Sequence, residues 1–242
     1  VQTSLLLLVI VSPATARVVH VGYPIGGAGG PQEQYGLAVG GAGDVDDDGF
    51  DDFVVGSAGF NNQGLRTGTA SVISGRTAAV LYTFYGDHEY DNFGQSVAGA
   101  GDVNSDGYDD IIVGAPGADT NGLGSGMARV FSGFDGSILL NILGGSPNDG
   151  FGWSVDGAGD VNNDGYDDLI IGTPLTNYFF AQSGSAVVVS GHTGEQLYYY
   201  NGDHFGDQFG NSVSGAGDIN DDGFDDFIIG APTYSLVESD IF

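Results

Sequence analysis

The sequence predicts an all-β fold, a β-propeller of about four 58-residue, four-stranded blades. Three observations carry this. The chain of 242 residues holds 45 Gly, 12 Tyr and 15 Phe, with short apolar runs between Gly-rich turns, a pattern of many short strands. No segment has the length and 3.6-residue period of an amphipathic helix. Above all, one unit recurs at a fixed interval. GAGDVDDDGFDDFVVG from Gly41 returns as GAGDVNSDGYDDIIVG from Gly99, GAGDVNNDGYDDLIIG from Gly157 and GAGDINDDGFDDFIIG from Gly215. Their first acids, Asp44, Asp102, Asp160 and Asp218, are each 58 residues apart.

The second unit shows how four strands arise. FGQSVAG is a first strand, and an acidic loop leads to DIIVGAP, the second. GMARVFS is the third, and a turn through Gly133, Asp135 and Gly136 leads to the fourth, ILLNIL. Gly-rich and Asp-Gly turns between apolar runs are hairpin signals, and four antiparallel strands in such a unit make a propeller blade. An aromatic-Gly pair opens each unit (Tyr35-Gly36, Phe93-Gly94, Phe151-Gly152, Phe209-Gly210), and Ser74-Gly75, Ser132-Gly133 and Ser190-Gly191 follow the third strands.

One domain, residues 1–242, is expected, with full blades at 35–92, 93–150 and 151–208 and half blades at 1–34 and 209–242. Residues 11–21, VSPATARVVHV, align with ISGRTAAVLYT at 73–83, so residues 4–21 read as strands three and four of a blade. A second reading stays open: Leu5–Val11 followed by Ala14-Thr15-Ala16 resembles a secretory signal, although it lacks a basic start. The two halves could complete one another as a fourth blade, or the chain could be part of a larger propeller; the second is the expected case.

The formal net charge is −28, with four Arg and no Lys. Such a polyanion repels nucleic acid and anionic membranes. The absence of Cys removes disulfides and thiolate chemistry, and no apolar run of 18 residues could span a membrane. More than half of the 32 acids lie in the four repeated loops, where crowding favours a bound cation.

Each loop follows Asp-x-Asp/Asn-x-Asp-Gly-aromatic-Asp-Asp. Ca²⁺ takes six to eight oxygens, and alternate side chains at positions 1, 3 and 5, the carbonyl of position 7 and the acid at position 9 can supply them around a Gly-permitted turn. The predicted ligands are Asp44, Asp46, Asp48, the Phe50 carbonyl and Asp52 in the first loop; Asp102, Asn104, Asp106, the Tyr108 carbonyl and Asp110 in the second; Asp160, Asn162, Asp164, the Tyr166 carbonyl and Asp168 in the third; and Asp218, Asn220, Asp222, the Phe224 carbonyl and Asp226 in the fourth. About four Ca²⁺ are expected. Position 12, a Glu in an EF-hand, is Val55, Val113, Ile171 or Ile229, so a strand rather than a helix leaves each loop.

With these motifs the chain resembles the FG-GAP repeats of integrin α-subunit propellers and related bacterial surface proteins. Phe-Gly at 93–94, 151–152 and 209–210 carries one half of the motif, and Gly114-Ala115-Pro116 and Gly230-Ala231-Pro232 the other. Tyr35, Gly56-Ser57-Ala58 and Gly172-Thr173-Pro174 depart mildly. The resemblance implies a propeller with structural Ca²⁺ in hairpin loops, and ligands or partners engaged through other loops.

Gly94-Gln95-Ser96, Gly152-Trp153-Ser154 and Gly210-Asn211-Ser212 approach a nucleophile elbow without completing it. His88 and His204 fall at equivalent loop edges, and Trp153 and Tyr198–Tyr200 read as core or inter-blade packing. The expected function is therefore non-enzymatic: an exported, extracellular or cell-surface module for binding, adhesion or scaffolding, with a protein or glycan ligand. The alternative is a propeller accessory to a secreted hydrolase.

Overall fold

The computed structural model describes residues 6–11, 16–21, 34–59, 66–176 and 182–233. Among them there are sixteen strands and no helix. Strands β1 (Leu6–Val11) and β2 (Ala16–Val21) pair antiparallel. The remainder of the predicted half blades at 1–34 and 209–242, including the start of the signal-like segment, lies partly outside the described residues.

Three four-stranded antiparallel sheets come next, each paired in chain order. The first holds β3 (Ala38–Gly43), β4 (Asp52–Ser57), β5 (Thr69–Ile73) and β6 (Val80–Tyr85). The second holds β7 (Ser96–Gly101), β8 (Asp110–Ala115), β9 (Met127–Phe131) and β10 (Ile138–Leu143). The third holds β11 (Ser154–Gly159), β12 (Asp168–Thr173), β13 (Ser185–Val189) and β14 (Gln196–Asn201). A two-stranded sheet, β15 (Ser212–Gly217) with β16 (Asp226–Gly230), repeats the first half of the unit.

The first strands β3, β7, β11 and β15 stand side by side, as the inner strands of successive blades do. Their Gly-Ala-Gly sequences allow it: a Cβ on Gly99 would fall 3.1 Å from the Gly41 carbonyl oxygen of the neighbouring inner strand, and one on Gly157 3.0 Å from that of Gly99. The second and third strands are buried along their whole length in the second and third sheets. Ile111 and Val113 of β8 pack toward the first sheet, whereas Ile112 packs toward the third. Burial on both faces is why these strands are continuous apolar runs instead of alternating ones.

The aromatic-Gly pair locks the units together. The Phe93 N–H donates to the Thr67 carbonyl at 3.3 Å, Phe151 to Ser125 at 3.1 Å and Phe209 to Ser183 at 3.0 Å, each in the preceding unit. Within its own unit the Gly94 N–H donates to the Gly114 carbonyl at 3.0 Å, joining the Phe-Gly and Gly-Ala-Pro elements.

Candidate metal centre

The acidic loops lie between the first and second strands of each unit. A β-bulge precedes each one, between Gly41 and Gly43, Gly99 and Gly101, Gly157 and Gly159, and Gly215 and Gly217. A bulge bends the strand and re-aims the residues beyond it. Loop position 4 (Asp47, Ser105, Asn163, Asp221) is left-handed at φ 53–59°, with the loop glycine two residues on. Asn and Asp tolerate this region better than most residues.

Each loop is held closed by its own acids. In the first, Asp44 accepts the Asp48 N–H at 3.0 Å and the Gly49 N–H at 2.8 Å, and Asp48 accepts the Phe50 N–H at 3.1 Å. Asp102 with Asp106, Asp160 with Asp164 and Asp218 with Asp222 repeat this arrangement. Asp44, Asp46 and Asp48 each place a carboxylate oxygen within 4.8 Å of the others. Desolvation by the surrounding loop, then the Asp48 and Asp44 charges, push the Asp46 carboxyl up, as expected of like charges sharing a small volume. An all-oxygen set of this kind suits a hard divalent cation, which would supply positive charge to the clustered carboxylates.

Positions 3, 7 and 9 differ in detail. Asn104 Nδ2 donates to Asp106 at 3.0 Å, whereas Asn162 and Asn220 turn toward Asp168 and Asp226 at 3.4 Å or less. The aromatic side chain at position 7 packs on the turn between strands three and four: Tyr108 on Phe134 at 5.1 Å, Tyr166 on His192 at 4.0 Å, and Phe50 under the Arg76 guanidinium at 5.3 Å. In the first three loops the position 9 acid is buried. Asp110 accepts the Val103 N–H at 3.0 Å and the Gly133 N–H at 2.9 Å, tying the loop to the turn after strand three. Asp52 and Asp168 make the equivalent pair of bonds. Burial pushes the Asp110 carboxyl up to about 7 and that of Asp168 to about 6.

Position 8 plays a part that sequence reasoning missed. The Asp44 N–H donates to Asp109 of the next unit at 2.7 Å, Asp102 to Asp167 at 2.8 Å, and Asp160 to Asp225 at 2.9 Å. The identical spacing of the double Asp in every loop was the available signal. Asp109 and Asp167 also line a cavity of about 280 Å³ beside the inner strands.

The other candidates fall elsewhere. Ser96 Oγ donates to the Gly152 carbonyl at 2.8 Å and Ser154 Oγ to Gly210 at 2.9 Å, so these two near-elbow serines join units. His88 and His204 sit 3.7 and 3.6 Å from Asp91 and Asp207, across a three-residue turn. Tyr198 and Tyr200 pack on Phe227 of the following unit, yet they, Tyr199 and Trp153 all stay partly exposed, so these aromatics are not core residues.

Fold and loops together define a repeat protein of propeller blades with an acid-lined hairpin loop in every unit. Residues 93–131, 151–190 and 209–240 match the FG-GAP repeat family, and the chain carries FG-GAP repeats at these three positions. Integrin alpha-5 of Xenopus laevis is 32% identical over 213 residues, 81% of this chain and 19% of that protein. Integrin alpha-11 of Homo sapiens is 37% identical over 141 residues, 53% of this chain and 12% of that protein. Integrin alpha-PS5 of Drosophila melanogaster is 33% identical over 189 residues, 69% and 18% respectively. The match thus spans less than a fifth of each of these relatives. Among solved structures, rhamnogalacturonan lyases YesW and YesX superpose with TM-scores of 0.47 and 0.48 at 16% and 15% identity, covering 79% and 80% of this chain and 40% and 39% of theirs. Among the described residues no helix is long and apolar enough to cross a membrane.

Proposed function

We propose that this chain is a Ca²⁺-stabilised FG-GAP propeller segment that works outside the cell as a binding, adhesion or scaffolding module without catalytic activity. Blades at 35–92, 93–150 and 151–208, with half blades at 1–34 and 209–242, would form its single domain. About four Ca²⁺ would be held by the acids, amides and carbonyls of loop positions 1, 3, 5, 7 and 9, from Asp44–Asp52 to Asp218–Asp226. The observation that carries the reading is one acid-closed loop geometry repeated four times, with three carboxylates converging in the first.

The cation would neutralise carboxylates that otherwise repel one another and would tie both arms of a hairpin to one centre. Integrin relatives support a location at the cell surface and a protein ligand. Two of the three serines nearest a nucleophile motif, Ser96 and Ser154, are committed to inter-unit hydrogen bonds, which supports a non-enzymatic role.

Calorimetric titration with Ca²⁺, paired with thermal melts in Ca²⁺ and in chelator, tests the proposal. Sites with dissociation constants of about 10⁻⁴–10⁻³ M are expected, as in extracellular modules. At 10 mM Ca²⁺ each would then stabilise the fold by about 1.4–2.7 kcal/mol. The expected result is a clear fall in melting temperature on chelation that matched NaCl does not reproduce. No uptake at millimolar Ca²⁺ would overturn the reading.

A further inference from the structure

We infer that Asp109, Asp167 and Asp225 are positioning residues that couple each acidic loop to the loop of the preceding unit, so that cation affinity in one blade is set partly by the next. The inference rests on the reading of the loops as Ca²⁺ sites. Its basis is the bond each of these carboxylates makes across the blade interface, at 2.7, 2.8 and 2.9 Å, to the N–H of the first loop acid, Asp44, Asp102 or Asp160. The Asp109 N–H returns a bond to the Asp44 carbonyl at 3.4 Å and the Asp225 N–H to Asp160 at 3.3 Å. Ser105 Oγ of the second loop also donates to the Gly165 carbonyl of the third, at 3.1 Å.

The residue before each first acid is shaped for this contact. Gly43, Gly101 and Gly159 hold φ of +70°, +70° and +72°, and a Cβ there would lie 2.0, 2.1 and 2.2 Å from the same Asp Oδ2. The left-handed backbone and the missing side chain let the neighbouring carboxylate reach the N–H. The fourth loop supplies an internal comparison: Gly217 has φ +64° but nothing within 4 Å of its Cβ position.

The double Asp then has a physical division of labour. Successive side chains at the start of a strand point to opposite faces. Asp110 turns to its own loop and accepts the Val103 N–H, while Asp109 turns to the previous loop and accepts the Asp44 N–H. The N–H of the first acid fixes the backbone from which its carboxylate reaches positions 5 and 6. Ordering one loop around a cation therefore steadies the Asp-Asp pair at its exit, and through it the entry of the preceding loop. The positioning bond is supplied by each blade to the loop before it, and whatever coupling of occupancy it carries is reciprocal.

The test is a Ca²⁺ titration monitored by amide NMR on the full chain, reading Gly107 and Gly165, whose N–H groups donate to Asp102 and Asp160 in the second and third loops. Asp167→Ala should weaken binding reported by Gly107 about tenfold, the scale of one hydrogen bond to a charged group. Binding reported by Gly165, in its own loop, should change less than about twofold, and Asp167→Asn, which keeps an acceptor oxygen, should recover part of the loss. Asp225→Ala lies in the half-exposed last sheet and makes the same comparison should Asp167→Ala not fold: Gly165 should report weakening while Gly223 does not. Equal weakening in both loops, or no change in the preceding one, overturns the positioning role. Absence of any glycine shift in the parent chain at millimolar Ca²⁺ overturns the Ca²⁺ reading itself.

Discussion

At the scale of single residues, the glycine of the Gly-Ala-Pro element illustrates how a motif letter becomes a contact. A Cβ on Gly114 would sit 2.1 Å from the Gly152 carbonyl oxygen of the next unit and 2.2 Å from Ser96 Oγ. Gly56 and Gly172 meet Gly94 and Gly210 in the same way. The Phe-Gly carbonyl of one blade therefore rests on the Gly-Ala-Pro glycine of the blade before it. A methyl group there must push backbone away, and Gly114→Ala should cost about 1–3 kcal/mol, the range for overpacking, measured by urea unfolding. A neutral result would mean that the blades can separate at this point without penalty.

At the scale of elements, the clefts between neighbouring sheets differ although the repeat is regular. Between the first and second sheets Phe84 stacks on Phe131 at 3.8 Å, and Arg129 of β9 is buried with Nε donating to Asn141 at 2.7 Å and its other nitrogens to Asp87. The equivalent positions between the second and third sheets are Ile142, Val189, Val187, Tyr199 and Gly145, and a cavity of about 550 Å³ opens there. Filling part of it with Val187→Met should raise stability by about 0.5–2 kcal/mol, read from the urea midpoint; destabilisation would mean that the cleft has no room. The Arg129–Asp87 pair gives a pH signature. The Arg129 hydrogen bond holds the Asp87 carboxyl below its ordinary value. A depressed folded-state value means that the stabilisation is present above the unfolded value near 3.8 and is lost as pH falls through the folded one. Because Asp87 is half exposed, Asp87→Asn should cost only about 1 kcal/mol at pH 6, and the gap from the parent should narrow as pH falls below the unfolded value. A gap that stays constant with pH would show that the carboxylate charge is irrelevant.

At the scale of the whole molecule, stability should track how many sheets cover each strand. β8 and β12 are buried throughout, whereas β16, paired only with β15 in its sheet, is half buried and leaves Ile228 61% exposed. Amide exchange at β15 and β16 should therefore be faster than at β7 and β8, because local opening there uncovers less apolar surface. Equal protection in both pairs would mean that the last sheet is covered in solution.

Much of this arrangement is legible in the sequence. The 58-residue period, four strands per unit, the hairpin turns and the acidic loops depend on neighbours within about ten residues, and local patterning encodes them directly. The run from Ile138 to Leu143 reads as a strand and is β10. Which acid faces its own loop and which crosses to another could not be read that way. Asp109 and Asp110 are adjacent and chemically identical, and only the packing of two inner strands brings Asp109 to Asp44, 65 residues away. The same holds for the Ser96 hydroxyl on Gly152, 56 residues away, and for the open cleft, whose volume is set by side chains from two sheets at once. The sequence by itself determined the repeat, the strands and the oxygen-rich loops, because these arise from short-range periodicity and turn chemistry. Only the tertiary structure decided how the loops are linked to one another, because that depends on the spacing between blades, which no single blade contains.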